Sequence, residues 1–486
     1  MEILTEGKMP EIPKTSGNTS ASESALSPSD LGIAVDVGTT TVVVSVWSLS
    51  ARKHLATVAE KNNQVRYGYD VIKRISFACR PPLTGSSIVV ESGPSALHYC
   101  ILMQLEKMIS KAVSIAAAKL PRGFRPKINS IVITGNTVML SFVCAVTVKN
   151  MAAAPFAPGS LFDFTTTWLS VREGKACENT ETLDNPTAEM LSIFKASIIP
   201  NETPVYFPPC IGAFIGADTI CSMISAGFPV PGAAQSNLQP GESALKVPLL
   251  LADIGTNSEI VLYEPGSENS PGRIFCTSAA AGPAFEAANI ACGMSAVEGA
   301  IDKISIEGGK IIPHVIGNVP AKGICGSGLV SIISNLYENN YIEKSGAILK
   351  GKSQLGDGSA CIEITPAVYI SQQDIRNLQL AKSAVRTGLE YMVEKAKSIP
   401  VFCIAGGFGA KIDLQSAKKI GLYPSVLEQR VVQLGNGALA GASSMLFSKA
   451  LREKARLLKK HSFPINLAAI HEFQTKFLHS IDFGHI

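Results

Sequence analysis

Apolar and polar positions sort this chain into segments of two periods. From Leu31 to Leu49 (LGIAVDVGTTTVVVSVWSL) apolar residues alternate or run together as buried strands do, interrupted at Gly38-Thr39-Thr40. From about Ala96 to Lys119 they recur every three or four residues and predict a long helix. Ile131-Val132-Ile133 predicts a buried strand that stops at Gly135-Asn136-Thr137. The run PPCIGAFIGADTICSMISAG (208–227) predicts a strand followed by a helix, and a second β-rich segment covers 249–263. Helical patterns at 325–343 and 371–397, a strand at 401–405 and a helix at 437–455 follow. Strands alternating with helices put the chain in the α/β class.

Two of the strand interruptions are alike. Asp36-Val37-Gly38-Thr39 and Asp253-Ile254-Gly255-Thr256 stand 217 residues apart, each after an apolar lead-in and before a β-rich run. Each predicts strand, glycine-permitted tight turn, second strand, with backbone N–H groups and hydroxyls facing one point and the Asp at its edge. Such a turn suits a phosphate and its metal. Two copies predict a duplicated fold whose two lobes each supply one turn to a nucleotide held in the cleft between them. Asp36 and Asp253 are then the metal-side candidates, because Mg²⁺ on phosphates is held by few carboxylates and by waters. The competing reading is that each Asp caps its own turn.

Three further motifs carry candidate chemistry. Gly406-Gly407-Phe408-Gly409 follows a predicted strand, where missing side chains let a flat base or a phosphate approach the backbone. Glycines there also serve strand–helix packing. The same pair of readings holds for Gly323-Ile324-Cys325-Gly326-Ser327-Gly328, which opens a helix. Asp218, near a predicted helix start, could orient a water for attack on a γ-phosphate or could act as a helix cap. Gly346 to Ser353 spells G-x4-G-K-S, yet a charged helical end precedes it and Gln-Leu-Gly-Asp-Gly-Ser follows. Without a buried strand before and a helix after, it is a chance match in a surface loop.

Composition narrows the function classes. A chain of 486 residues with 46% hydrophobic content builds two or three domains. A net charge of +4 with interleaved signs leaves no footprint for nucleic acid or an acidic membrane. Eleven cysteines are scattered with no Cys-x2-Cys pair, so zinc-ribbon and local iron–sulfur spacings are absent. The charged N-terminus lacks an apolar signal region, which predicts a cytoplasmic chain with reduced thiols. The charge-free run Ile128 to Val148 holds Asn129, Ser130, Thr134, Gly135, Asn136 and Thr137, and predicts a strand, a turn and a helix start rather than a membrane span. Residues 1–30, rich in Ser, Thr, Pro and Glu, predict a flexible tail. Pro155 to Pro204 predicts a loop region near a lobe boundary, and 229–243 a spacer. The expected organisation is a tail over 1–30, a first lobe over 31–200, a second lobe over 201–455 and a helical extension over 456–486.

In that order, hairpin, inter-lobe helix start, second hairpin and late glycine-rich strand end resemble the acetate and sugar kinase, heat-shock chaperone and actin superfamily. More specifically, DVGTTTVVVSV (36–46), NNQVRYGYDVIKRI (62–75), ITGNTVMLSFV (133–143), PPCIGAFIGAD (208–218), ADIGTNSEIVL (252–262), the run 279–304, GICGSGL (323–329), QDIRNLQLAKSAVRTGL (373–389), AGGFGAKIDLQSAKKIGLYP (405–424) and LGNGALAGA (434–442) resemble the reductive activators of corrinoid proteins. The resemblance implies a duplicated actin-like ATPase fold with ribonuclease H-like lobes. It implies an ATPase using ATP and Mg²⁺ to return a corrinoid protein from Co(II) to Co(I). By the same resemblance Asp36, Gly38, Thr39 and Thr40 face phosphate from the first lobe, Asp253, Gly255, Thr256 and Asn257 from the second, and Gly406, Gly407 and Gly409 line the other end of the nucleotide, with Gly326 a further contact.

The chain also departs from that pattern. Such activators usually carry their own iron–sulfur domain, whereas residues 1–30 hold no cysteine and none follows Cys403. The expectation is therefore no iron–sulfur cluster within this chain, and an external ferredoxin-like electron donor. A cluster shared between two subunits through Cys292 and Cys325 is the alternative to two buried structural thiols. A small-molecule kinase and a non-catalytic nucleotide-binding scaffold remain as readings of the same core. A homodimer is an ordinary assembly for such a chain.

Overall fold

The computed structural model describes residues 27–484 apart from 28, 81–91, 121, 122, 124, 232–246, 268–270, 350, 351, 355–357 and 359. The predicted tail and the predicted spacer lie almost wholly outside the described residues. The chain divides into two units, one running up to Val230 and taking in Gly437–Ser462, the other holding Pro231–Asn436 and the chain from Phe463. The division thus falls later than 200, and the chain passes from unit to unit three times.

In the first unit β1 (Asp30–Val37), β2 (Thr41–Ser48) and β3 (Lys53–Lys61) form an antiparallel meander, rich in the β-branched residues that suit a pleated, buried surface. Helix α1 (Val71–Ala78) follows, capped by the Asp70 side chain, and then α2 (Gly93–Ala117), whose Leu97, Leu105, Met108 and Ile109 are buried against the sheet. β4 (Lys127–Gly135) lies parallel to β1 with Asp36 beside Thr134 and Val37 beside Gly135. Asn136 then caps α3 (Thr137–Val143), so the charge-free run at 128–148 is a strand, a turn and a helix start. The stretch from Pro155 to Pro204, expected as loop, contributes β5 (Phe164–Thr167), α4 (Trp168–Arg172) and α5 (Ala188–Lys195). Its uneven composition hid a four-residue edge strand paired antiparallel to β6 (Pro204–Phe207). Sheet order is β3-β2-β1-β4-β6-β5. Residues expected as strand at 208–216 form the turn that leads into α6 (Ala217–Ser225).

The second unit repeats the plan. β7 (Leu249–Ile254), β8 (Ser258–Glu264) and β9 (Arg273–Ala279) form its meander. Two small sheets follow in sequence, β10 (Ala300–Glu307), β11 (Lys310–Val315) and β12 (Gly323–Ile324), then β13 (Lys352–Gln354), β14 (Ala360–Thr365) and β15 (Val368–Ser371). α7 (Gly326–Glu338) separates them and α8 (Gln372–Lys395), with a Ser371/Asp374 capping box, follows. β16 (Val401–Ala405) pairs parallel to β7, and α9 (Gly406–Gly409), α10 (Leu414–Lys419) and β17 (Val431–Gly435) complete the set. The order β9-β8-β7-β16-β17 reproduces β3-β2-β1-β4-β6. The likeness extends to single atoms. A Cβ on Gly135 would stand 2.6 Å from the Val37 carbonyl oxygen, and one on Gly406 2.7 Å from that of Ile254. The P-loop spelling ends in β13, a strand paired with β14, and no helix follows Ser353 directly.

From Gly437 the chain returns to the first unit as α11 (Gly437–Met445) and α12 (Lys449–Lys460). α11 packs on α6 so tightly that a Cβ at Gly441 would stand 2.1 Å from the Cys221 carbonyl oxygen. Gly441→Ala should therefore destabilise the first unit by at least about 2 kcal/mol through overpacking. Calorimetry reads this as a lower midpoint for that unit, and an unchanged midpoint would refute the close approach. The Arg456 guanidinium fastens α12 through Asp163 at 2.8 Å.

The segment from Phe463 packs on the second unit. After β18 (Ser462–Pro464) beside β9, α13 (Phe473–His479) rests on α8. Phe483 is fully buried, its ring centroid 5.9 Å from that of Tyr337 and its N–H donating to the Lys344 carbonyl at 2.8 Å. Gln379 donates to the Ile481 carbonyl, and the Lys382 ammonium to that of Asp482.

Candidate nucleotide-binding turns

In the first unit the Asp-Gly-Thr turn is closed by Gly38 N–H donating to Thr41 at 3.0 Å. Side chain at position 38 is excluded, since a Cβ there would stand 2.6 Å from the Thr41 carbonyl oxygen. The turn is also tied back from behind. Asn62 Nδ2 donates to the Gly38 carbonyl at 2.8 Å, the Asn62 N–H to Thr40 at 2.7 Å, and Arg74 Nη2 to Thr39 at 2.6 Å. Asp36 and the hydroxyl-bearing Thr39 and Thr40 are half-buried.

The end of β4 and the start of α6 meet beside this turn. A Cβ on Gly216 would lie 2.5 Å from the Gly135 carbonyl oxygen, 2.6 Å from the Asn136 Cα and 2.7 Å from Asp218 Oδ1. Asp218 is not the cap of α6, which is Gly216; it sits in the first turn, where the N-terminal N–H groups favour a negative charge. Its Oδ1 accepts from the Thr219 N–H at 2.7 Å. Burial pushes the Cys221 thiol far up, and the charges of Asp218 and Asp36 push the same way, so all three share one neighbourhood. Asn136 is buried; its Oδ1 accepts from Val138 at 3.0 Å, while its Nδ2 has no hydrogen-bond partner among the described residues.

The second unit assembles a related turn with different ties. Asp253, next to last in β7, lies between Glu259 and Ala405, and a Cβ on Gly406 would stand 2.8 Å from Asp253 Oδ1. Gly406 has φ of 93°, open to glycine and strained for other residues. Here the Thr256 N–H donates to Glu286 Oε1 at 3.2 Å and its carbonyl accepts from Gly282 at 2.9 Å. Asn257 is half-buried beside them, and Gly255 lies with its Cα 's open side toward Glu286 Oε1, 3.4 Å from where a Cβ would be.

The glycines predicted to touch nucleotide fall into two kinds. Gly407 is exposed with nothing within 4 Å of a Cβ. Gly409 and Gly326 are packing glycines in this structure: a Cβ would meet Ile404 Cγ2 at 2.6 Å and the Phe285 carbonyl oxygen at 1.8 Å. The Phe285 and Phe408 rings, centroids 4.7 Å apart, lie beside them.

Asn62, Arg74, Asn136 and Glu286 were not singled out from sequence. Arg74 had a readable signal, since it occupies the apolar stripe of α1 with Val71, Ile75 and Ala78. Among the described residues no cluster of three or more His, Cys, Asp or Glu converges as a metal site, and no helix is long and apolar enough to cross a membrane. Cys325 is buried, its thiol 3.4 Å from the Ile301 carbonyl oxygen, and Cys292 is half-buried.

Two family models match this chain: the middle region of RACo over residues 31–169, and the C-terminal domain of RACo, the ASKHA domain, over 248–486. The corrinoid activation enzyme RamQ of Eubacterium limosum is 29% identical over 479 residues, covering 93% of this chain and 70% of that protein. A Co(II) methylated amine-specific corrinoid protein reductase of Methanosarcina barkeri is 25% identical over 445 residues, covering 86% and 70%. Among solved structures, a reductive activator for corrinoid, iron–sulfur protein superposes with a TM-score of 0.73 at 26% identity, covering 96% of this chain and 67% of that one. With the sheet plan repeated in both units, the fold is the two-lobe actin-like ATPase fold. The chain belongs to the family of reductive activators of corrinoid proteins.

Proposed function

We propose that this protein is an ATPase that returns a corrinoid protein from Co(II) to Co(I) in the cytoplasm. One electron enters the cobalt, a separate ferredoxin-like iron–sulfur protein is oxidised by one electron, and ATP with water gives ADP and phosphate. Uphill reduction needs such coupling, because a bound nucleotide shifts a conformational equilibrium only by its differential affinity for the two states. The observation that carries this reading is the pair of Asp-Gly-Thr turns at equivalent places in two like sheets, within a chain matched along both halves by activator models.

The residues present fit a nucleoside triphosphate. A buried Asn136 Nδ2 lacks a partner among the described residues, and Gly407 leaves open space. Gly38, Thr39 and Thr40, and Gly255, Thr256 and Asn257, are the proposed phosphate contacts, with Gly406 and Gly407 toward the base and Gly409 packed behind them against Ile404. Asp36 and Asp253 are the proposed carboxylates for Mg²⁺, which would neutralise phosphate charge. Asp218 is the proposed residue that orients the attacking water, and Gly326 acts by supporting the Phe285–Phe408 floor. The lobes are proposed to follow the two units, with the chain from Phe463 belonging to the second.

The test is ATP hydrolysis by the full chain with and without a Co(II) corrinoid protein, alongside the Co(I) absorbance when a reduced ferredoxin is supplied. Turnover should rise with the corrinoid protein and fall by on the order of a hundredfold or more in Asp253→Ala. Nucleotide binding without any response to a corrinoid protein would overturn the assignment and direct a search to kinase substrates.

A further inference from the structure

The stretch Asn62 to Arg74 has no part in the reading above, yet it holds the first turn from behind. Arg74 is fully buried on α1. Its Nε donates to the Gly68 carbonyl at 3.0 Å, its Nη1 faces Gln64 Oε1 at 3.4 Å and Met139 Sδ at 3.0 Å, and its Nη2 donates to Thr39 at 2.6 Å. Asn62, also fully buried, takes the carbonyls on either side, Gly38 through Nδ2 and Thr40 through its backbone N–H. Asn62 is fixed in turn, because its Oδ1 accepts from the Gln64 N–H at 2.9 Å. Three consecutive carbonyls of one turn are thus drawn to the same side.

A trans peptide is planar, with its C=O and the following N–H pointing oppositely. Drawing the Gly38 and Thr39 carbonyls back therefore directs the Thr39 and Thr40 N–H bonds outward. The ties also set a permanent cation behind the turn, and a buried charge acts through a low effective dielectric. An arginine suits this place because it is always charged and its fork reaches several carbonyls at once.

We propose that Arg74, together with Asn62, is the positioning residue of the first phosphate turn: it orients the Thr39 and Thr40 amides and lends positive charge to bound polyphosphate. This rests on the nucleotide reading for its ligand, and on geometry alone for the turn. Two conservative variants separate its parts. Arg74→Lys keeps the charge and loses the fork. Asn62→Asp keeps the cap on Gln64 and replaces the Gly38 donor with an acceptor.

Hydrogen exchange of the peptide spanning 36–43 is read first, without nucleotide, in the full-length wild type and both variants. Exchange faster than wild type in that peptide, with the rest of the unit unchanged, is expected. Wild-type exchange in both variants overturns the positioning role, as does a general rise across the unit, which marks a merely structural residue. Affinities for ATP, ADP and adenosine are then compared. ATP binding should weaken on the order of tenfold in each variant, ADP less, and adenosine not at all. An equal loss for all three overturns the proposed action on polyphosphate. If wild type binds no nucleotide while the exchange result holds, the functional reading fails and the turn geometry stands. If one variant does not fold, the other still reads the same peptide.

Discussion

Alanine at position 326 should lower the unfolding midpoint of the second unit by roughly 6–12 °C, whereas alanine at 407 should leave it unmoved. The two glycines are both parts of motifs that read as nucleotide loops, yet their surroundings differ. A Cβ on Gly326 would stand 1.8 Å from the Phe285 carbonyl oxygen, 2.9 Å from its carbon and 3.3 Å from Phe408 Cδ2. None of these atoms belongs to a flexible side-chain end, so either the start of α7 or the Phe285 backbone must move. That displacement would open the Phe285–Phe408 contact, for a cost of about 3 kcal/mol. Gly407 meets nothing within 4 Å and is exposed, so Gly407→Ala stays within about 0.5 kcal/mol of wild type. Its expected effect is instead a weaker affinity for nucleotide. Calorimetry of both variants, with ATP titrations of each, separates the roles; two equal midpoints would contradict the packing described for Gly326.

The second large effect is on pH. Burial lowers the Lys382 ammonium to about 7, with Arg386 and Lys344 acting the same way and Asp482 and Glu390 opposing. An unfolded lysine titrates near 10.4. Between these values the unfolded chain binds the extra proton, so stability rises with pH through this window and is lost as pH falls toward 7. From pH 7 to pH 9 the gain is about 2–3 kcal/mol, or roughly 5–10 °C for a unit of this size. Lys382→Met should remove that slope while filling a similar volume beside Phe483. Midpoints measured at both pH values for wild type and variant give the answer; parallel slopes would mean that the lysine is charged and solvated. The Glu106 carboxyl is also raised by burial, opposed by hydrogen bonds from Ser197 and Trp168.

What was legible in the sequence is what local pattern controls. The two Asp-Gly-Thr turns, the strand at 401–405, and the helices α2, α7 and α8 lie where their periodicity put them, within a few residues. The strand likewise ended at Gly135 with a helix start after it as expected, though the capping role of Asn136 was not foreseen. Less legible were short strands of polar or mixed composition, such as β5 and the pairs β10–β11 and β14–β15, whose partners rather than their own residues define them. The return of α11 to the first unit was invisible, since Gly441 fits against Cys221 across a long interval of sequence. Within the candidate site the chemistry-bearing Asp and Thr residues were named, and their supports were not. Asn62 and Arg74 act through backbone carbonyls, and nothing in a residue's own identity announces which carbonyl it will hold.

The late return of Gly437–Ser462 also sets a schedule for how the protein is made. When Val230 has left the ribosome, the first unit has its six strands, but the face of α6 that receives α11 is still bare. Some two hundred residues of the other unit must be added first, roughly ten to forty seconds of synthesis. During that interval the nascent chain presents an apolar helix face to chaperones, and a truncation at Val230 would carry the same exposed face permanently. Expression of this half alone should therefore require α11 to be supplied on a tether, which makes the helix a practical handle for splitting and reassembling the protein.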